Sequence, residues 1–280
     1  MTFALSTCWN AGRLDDGAAI ADEALELGFD SLELGFQTRP EHLDGIRSRL
    51  ARLPVTSVHA YCPVPFGAPS GHPELFRLAC SREDERALAH VHLKRTFAVA
   101  AEFGAKAVVF HAGYRPPPAP WPFRRWVKGT DELFRREFDA LAPELERLGL
   151  VLCLENLPRP NAYPDADEAE KLMADYAGAP LRLWFDTGHA RVRETQGWAA
   201  PAAELASRLA AHVHGIHVND VEGRHDDHFA PGGGKVDFAA LAPLARRVAL
   251  RTFEPGPHVT RSQLAEGLRT LRRLWGEEMQ

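Results

Sequence analysis

Residues 181–189 read LRLWFDTGH, a short apolar run that ends at Asp186 and is followed, after a turn, by His189. Leu181–Phe185 has the length and bulk of a buried strand, which places Asp186 at its carboxyl end. The same arrangement, a short apolar run ended by a polar residue, recurs along the chain. Its repetition predicts strands at Phe3–Thr7, Ser31–Leu34, Thr56–Ala60, Ala107–Phe110, Val151–Leu154, Leu181–Phe185, Val213–Val218 and Leu250–Phe253.

Helical patterns separate these strands. Two segments show a one-sided apolar face of helical period, formed by Phe134, Phe138, Leu141, Leu145 and Leu148 and by Leu264, Leu268, Leu271 and Trp275. Gly28, Gly104 and Gly149 each stand between a helical pattern and a strand, where a left-handed cap residue is expected. Eight strands alternating with eight helices predict an α/β fold in which residues 1–280 form a single (β/α)8 TIM barrel domain. The alternative is an open doubly wound sheet, but polar residues end most strands and do not gather at one switch point.

The composition fits a globular enzyme with no strong electrostatic partner. The 280 residues are 45% hydrophobic and 25% charged, with a formal net charge of −5. This balance gives no field that would attract nucleic acid or an acidic membrane surface. Residues 1–10 show neither a signal peptide nor a membrane-spanning run. Four cysteines without paired spacing indicate free thiols, so we expect a cytoplasmic protein.

Six strands end at a histidine or an acid. These residues are His59, His111, Glu155, Asp186, His217 and Glu254. Because the carboxyl ends of parallel barrel strands meet at one face, their side chains should converge. Three carboxylates buried together need a counter-charge, and no lysine or arginine occurs at the matching strand ends. Carboxylates mixed with imidazoles are ligands of Mn, Zn, Co, Fe or Mg, so the pattern predicts a divalent metal site.

Two neighbouring segments extend this cluster. His189 follows Asp186 by three residues, and Asp226 and His228 are two apart in an extended segment. The resulting nine candidate ligands carry four negative charges. One divalent ion leaves a net charge of −2 and two reach neutrality, so we expect one to three ions per chain and leave the number open.

At these residues the sequence resembles the xylose isomerase-like TIM barrel superfamily, which includes sugar isomerases, sugar epimerases and the endonuclease IV repair enzymes. The resemblance rests on five short motifs in order: Glu155-Asn156, Asp186-Thr187-Gly188-His189, His217-Val218-Asn219-Asp220, Asp226-Asp227-His228 and Glu254. It implies that Glu155, Asp186, His217 and Glu254 hold one ion in members that act on sugars, with the two glutamates as acid and base. In endonuclease IV all nine matching positions bind three zinc ions.

Some positions depart from the endonuclease IV pattern. Cys62 stands where those enzymes have a DNA-contacting tyrosine, and Leu157-Pro158-Arg159 replaces a small glycine-containing turn. Gly233, in the glycine loop Gly232-Gly233-Gly234, replaces an acidic residue that is usual in both groups. These departures weigh against DNA binding more than against metal binding. The glycine loop itself is interpreted as a flexible hinge, with a phosphate cradle as the alternative.

The resulting hypothesis is a metal-dependent isomerase or epimerase of a small sugar or sugar phosphate, with Glu155 and Glu254 transferring protons through a metal-stabilised enediolate. His59, His111 and His189 would hold substrate hydroxyls or a second ion. Arg115, Arg159 and a proline-led loop at Trp121–Lys128 would contact the substrate. The alternative is an endonuclease IV-type phosphodiesterase, for which abasic DNA would be the partner. A lyase or a binding protein on the same barrel, and a homo-oligomer, remain open.

Overall fold

The computed structural model describes residues 1–115 and 129–276, and its centre is a closed barrel of eight parallel strands in sequential order. The strands are β1 Ala4–Ser6, β2 Ser31–Leu34, β3 Val55–His59, β4 Ala107–Phe110, β5 Val151–Glu155, β6 Leu181–Asp186, β7 Val213–Val218 and β8 Leu250–Phe253. The prediction of a single (β/α)8 barrel, and of the place of each strand, is therefore confirmed.

Helices surround the barrel. They are α1 Gly17–Glu26, α2 Leu43–Arg47, α3 Glu83–Glu102, α4 Thr130–Leu148, α5 Ala166–Asp175, α6 Thr187–Thr195, α7 Ala202–Leu209, α8 Ala242–Arg247 and α9 Arg261–Gly276. Simple alternation was wrong at one point, because β6 and β7 are joined by the two helices α6 and α7. The extra helix begins directly at the strand end, where the Asp186 carboxylate caps it by accepting a hydrogen bond from the His189 backbone N–H at 2.6 Å.

The apolar helical faces pack against the outside of the barrel as predicted. Phe134 and Phe138 of α4, and Leu264 and Leu271 of α9, are fully buried. Gly149 ends α4 in the left-handed conformation, with φ of 64°. Because this conformation costs an L side chain energy, glycine allows the chain to turn at once into β5. No helix in the described ranges is long and apolar enough to cross a membrane.

The strand register brings the polar strand ends to one rim. Asp186 is level with His217 across β6 and β7, and the Glu254 backbone N–H donates to the Val218 carbonyl at 3.2 Å. The β6–β7 pairing needs Gly215, since an added Cβ would lie 2.3 Å from the Trp184 ring. Glycine at this position leaves the space that the indole occupies beside β7.

Candidate metal centre and pocket

Four of the predicted residues form the centre of a buried cluster. The ligand atoms of Glu155, Asp186, His217 and Glu254 all lie within 4.8 Å of one another. Each residue is at most 4% exposed. His217 Nδ1 lies 3.2 Å from a Glu155 oxygen and 3.4 Å from a Glu254 oxygen. Asp186 Oδ1 caps α6, and Asp186 Oδ2 accepts a hydrogen bond from the Asn219 side-chain amide at 2.6 Å. These two contacts fix the carboxylate in the cluster.

Glu155 also belongs to a second group. Its Oε2 atom lies 3.2 Å from His59 Nε2 and 3.1 Å from His111 Nε2, while its Oε1 atom faces His217 and His189. Glu155 therefore belongs to two of the groups that could hold a metal ion, one with His59 and His111 and one with Asp186, His217 and Glu254.

A third group stands nearer to the solvent. Asp226 lies between two histidines, with one oxygen 3.2 Å from His189 Nε2 and the other 3.2 Å from His228 Nε2. All nine residues predicted as ligands are therefore brought together in groups of three or four, three of which share members while the group of His189, Asp226 and His228 stands apart.

The outward-facing nitrogens of the five histidines explain how the rings are held. Four of the Nδ1 atoms have a partner outside the cluster. His59 Nδ1 contacts the Ala60 carbonyl, His189 Nδ1 the Asn156 carbonyl and His228 Nδ1 the Glu254 carbonyl. His111 Nδ1 contacts the Glu74 carboxylate. His217 is reversed, because its Nε2 atom faces Glu33 and its Nδ1 atom faces the cluster. In each ring the opposite nitrogen faces a carboxylate of the cluster. Metal-binding histidines are oriented in this way, so the donor set fits a divalent metal.

Glu33 is a buried acid that the sequence reasoning missed. It is fully buried, its two oxygens lie 3.1 and 3.2 Å from His217 Nε2, and Ser57 donates to it at 2.8 Å. The expectation of three acids at the strand ends was therefore incomplete. Glu33 lies inside β2, not after it, and a charged residue within an otherwise apolar strand was the available signal.

Glu74 was also missed. Its carboxylate lies 3.3 Å from His111 Nδ1, and the Tyr114 hydroxyl is a further hydrogen-bond partner that lowers the pKa of Glu74. Glu74 belongs to the long connection between β3 and α3, which has no regular period, so only the structure places it beside β4.

The pKa values of the acids and imidazoles in the cluster are shifted because these groups are paired with one another. Burial alone would raise the pKa of Glu155, but His217 and His111 outweigh burial and hold it well below the usual value. Burial likewise opposes charge on His111, yet Glu155 raises the pKa of this imidazole to about 9. Burial raises the pKa of Asp186 to about 6. Without an ion, protonated imidazoles supply the counter-charge that the strand ends lack in lysine and arginine.

A pocket of about 310 Å³ opens over the cluster. The residues lining it are Phe36, Gln37, His59, Gly71, His72, Pro73, Glu74, His111, Tyr114, Pro158, Arg159, His189, Asp226, His228 and Glu254. Glu254 and four of the histidines thus face the space a ligand would occupy, whereas Glu155 lies deeper. The volume is at the lower end of small-molecule sites in proteins.

The two predicted arginines differ in position. Arg159 lines the pocket, but Arg115 pairs with Glu168 and donates to the Ala162 carbonyl at 2.8 Å. The structure does not bring Arg115 into the pocket, so the geometry gives its predicted substrate contact no support. The loop predicted at Trp121–Lys128 lies outside the described residues.

The glycine loop has a structural role that neither interpretation anticipated. The Asp220 carboxylate accepts hydrogen bonds from the backbone N–H groups of Gly232, Gly234 and Val236 at 2.9 to 3.0 Å. The loop is wrapped around this acid, which occupies the backbone N–H groups that a phosphate cradle would need, while the hinge stays a prediction. Lys235 pairs with Glu222 at 2.8 Å.

The chain belongs to the xylose isomerase-like TIM barrel family, whose sequence model matches residues 21–273. Among curated proteins, an uncharacterised protein, y4fM, from Sinorhizobium fredii (strain NBRC 101917 / NGR234) is 26% identical over 225 residues, 79% of this chain. The chain spans 66% of the length of that relative.

Solved structures with the same fold include sugar epimerases. The apo form of 3-keto-D-glucoside 4-epimerase, YcjR, from E. coli has a TM-score of 0.76 at 19% identity, covering 98% of this chain and 99% of that one. TTHB071 protein from Thermus thermophilus, soaked with ZnCl2, has a TM-score of 0.65 at 25% identity, covering all of both chains. These likenesses show that the fold is shared.

Proposed function

We propose that the chain is a divalent-metal-dependent isomerase or epimerase of a small sugar. One observation supports this most: the pocket of about 310 Å³ is lined by polar side chains and ends on a carboxylate–imidazole cluster. We assign Glu155, Asp186, His217 and Glu254 to one Mn, Zn, Co or Mg ion. The remaining members of the cluster, His59, His111, His189, Asp226 and His228, hold substrate hydroxyls or further ions.

The two glutamates carry the proton in this proposal. Glu254 reaches the pocket, so its carboxylate removes the proton from the carbon next to the substrate carbonyl. The C–H electron pair becomes the double bond of an enediolate, and the carbonyl electrons move to oxygen. For an epimer, Glu155 takes a proton from the protonated His111 ring 3.1 Å away and delivers it to the second face, while Glu254 gives its proton to solvent. For an isomer, Glu254 returns the proton it removed to the neighbouring carbon, and Glu155 moves the hydroxyl proton between the two oxygens. A bound ion supplies the positive charge that stabilises the developing oxyanion.

Hydrogen exchange tests the proposal directly. The full chain, supplied with Mn²⁺, Co²⁺, Zn²⁺ or Mg²⁺, is incubated in D2O with D-fructose, D-tagatose, L-ribulose and the phosphates of these ketoses, and deuterium at carbon is measured by NMR. We expect metal-dependent exchange with at least one ketose and a loss of about 10²- to 10⁴-fold in Glu254→Gln. Glu102→Gln is the matched control, since Glu102 is exposed at the end of α3 away from the pocket. Absence of exchange with every ketose and ion would count against the proposal.

A second candidate function is supported by the separate metal-type groups. The His59–His111–Glu155 and His189–Asp226–His228 groups are more than a single-ion isomerase needs, and Glu155 belongs to two of the candidate groups. These groups favour an endonuclease IV-type phosphodiesterase with three zinc ions. It predicts nicking of an abasic duplex, weakening steeply with salt, and three zinc ions per chain by elemental analysis. A single ion with no nicking would exclude it.

A further inference from the structure

Arg159 is the one lysine or arginine among the described residues that line the pocket. Its guanidinium carbon lies 5.0 Å from the centre of the Tyr114 ring, which holds the planar cation by a cation–π contact. Glu74, Asp226 and Glu254 line the same pocket. A permanent positive charge therefore stands in a site whose other charged side chains are acids and histidines.

This cation has no acidic partner in the described part of the chain, where no carboxylate oxygen lies within 4.0 Å of it. Residues 116–128 contain neither aspartate nor glutamate, so that stretch supplies no carboxylate either. Neighbouring arginines are used differently. Arg115 pairs with Glu168, and Arg193 is bound by backbone carbonyls. Among the described residues, Arg159 is exposed and its guanidinium has no hydrogen-bond acceptor, so in that part of the chain its donors are open to a ligand.

The backbone below this side chain is fixed. The Arg159 carbonyl accepts hydrogen bonds from Arg193 at 3.0 Å and from the Ala162 backbone N–H at 3.2 Å. Tyr114 pairs with Ala162 in an antiparallel bridge, which fixes the backbone that carries the ring. A fixed backbone at both residues lowers the entropy lost when a ligand binds.

We propose that Arg159, held on Tyr114, binds a phosphate or carboxylate group at the end of the substrate away from Glu254. The natural substrate is then an anionic sugar and not a neutral one. The inference rests on the proposed function for the reacting end. A guanidinium fits both anions, because its planar donors form paired hydrogen bonds with two oxygens of either group. The metal cluster recognises the hydroxyl end, and the arginine recognises the charged end.

The test is a binding comparison with polyols, which have no carbonyl and cannot react. Kd values for D-glucitol, D-glucitol 6-phosphate and D-gluconate are measured by calorimetry on the full chain supplied with Mn²⁺. The variants are Arg159→Met, which keeps the aliphatic stem, and Arg159→Lys, which keeps the charge. Arg52→Met is the matched control, since Arg52 is exposed just before β3, at the opposite face of the barrel.

We expect one anionic polyol to bind about 10- to 100-fold more tightly than D-glucitol, as for hydrogen bonds to a charged group. Arg159→Met removes this preference, Arg159→Lys keeps part of it and Arg52→Met keeps all of it. The anion with the larger preference distinguishes a sugar phosphate from a sugar acid. Equal binding of all three polyols overturns the inference, and so does a preference that survives Arg159→Met, which indicates direct binding at the metal. Absence of deuterium exchange with intact anion preference would refute the isomerase and leave the anion site standing.

Discussion

Replacing Glu33 by glutamine should weaken metal binding although Glu33 is not itself in the ligand set. Glu33 has no solvent exposure, and both its oxygens lie near His217 Nε2, at 3.1 and 3.2 Å. The negative charge of Glu33 makes the opposite ring nitrogen of His217, Nδ1, a stronger electron-pair donor to a metal ion in the cluster. Changes at such outer carboxylates lower metal affinity by about 10- to 100-fold, or about 1.4 to 2.7 kcal/mol. Glutamine keeps one acceptor for the N–H, so we expect the lower end of this range, and alanine should reach the upper end.

Competition against a fluorescent chelator for Zn²⁺ or Co²⁺ measures the effect, and circular dichroism checks that each variant is folded. Glu102→Gln makes the same change at an exposed site and should leave affinity unchanged. If Glu33 positions His217, metal affinity should decrease from wild type to Glu33→Gln to Glu33→Ala. If folded Glu33→Gln binds metal as tightly as wild type, then Glu33 does not act through His217 and the reasoning fails.

Three further outcomes follow from the described contacts. Burial opposes charge on His228, yet Asp226 raises the pKa of this imidazole to about 10. The pairing of protonated His228 with Asp226 therefore stabilises the fold fully below the unfolded pKa of about 6.5, and this contribution is lost as the pH rises towards 10. The Tm of protein freed of metal by a chelator should fall from pH 7 to pH 10, and it should fall less with saturating Zn²⁺. An unchanged Tm across that range would contradict the assignment. Gly215→Ala should cost about 3 kcal/mol in urea unfolding because the added Cβ would lie 2.3 Å from a tryptophan ring, whereas Gly12→Ala, with open space around it, should cost less than about 1 kcal/mol. Asp220→Ala should expose the glycine loop to proteolysis, and equal resistance to wild type would show that the carboxylate is dispensable.

The barrel was predictable from the sequence because its strands differ sharply in composition from the segments around them. All eight were found within about two residues of their bounds, since buried parallel strands are continuous apolar runs. The second helix between β6 and β7 was not anticipated. Asp186 was considered only as a ligand, and its part as the cap that starts α6 at the strand end was overlooked.

The candidate site was predictable only where its residues follow strands. The nine residues of the cluster came from strand ends or from short motifs beside them, and they converge because parallel strands end at one rim. Glu33 and Glu74 escaped for different reasons. One lies within a strand, where its neighbours suggest core packing, and the other lies in an irregular connection whose path depends on tertiary contacts.

Helix α6 links the floor of the pocket to its rim. Asp186 caps its first turn, His189 contributes to the outer group, and Arg193 in its last turn holds the Arg159 carbonyl. Under the proposed assignments, this short helix sets the spacing between the reacting centre and the contact at Arg159. The length of substrate that fits would then depend on the placement of α6, and a redesign for longer or shorter substrates would have to move α6 together with the loop at residues 157–160.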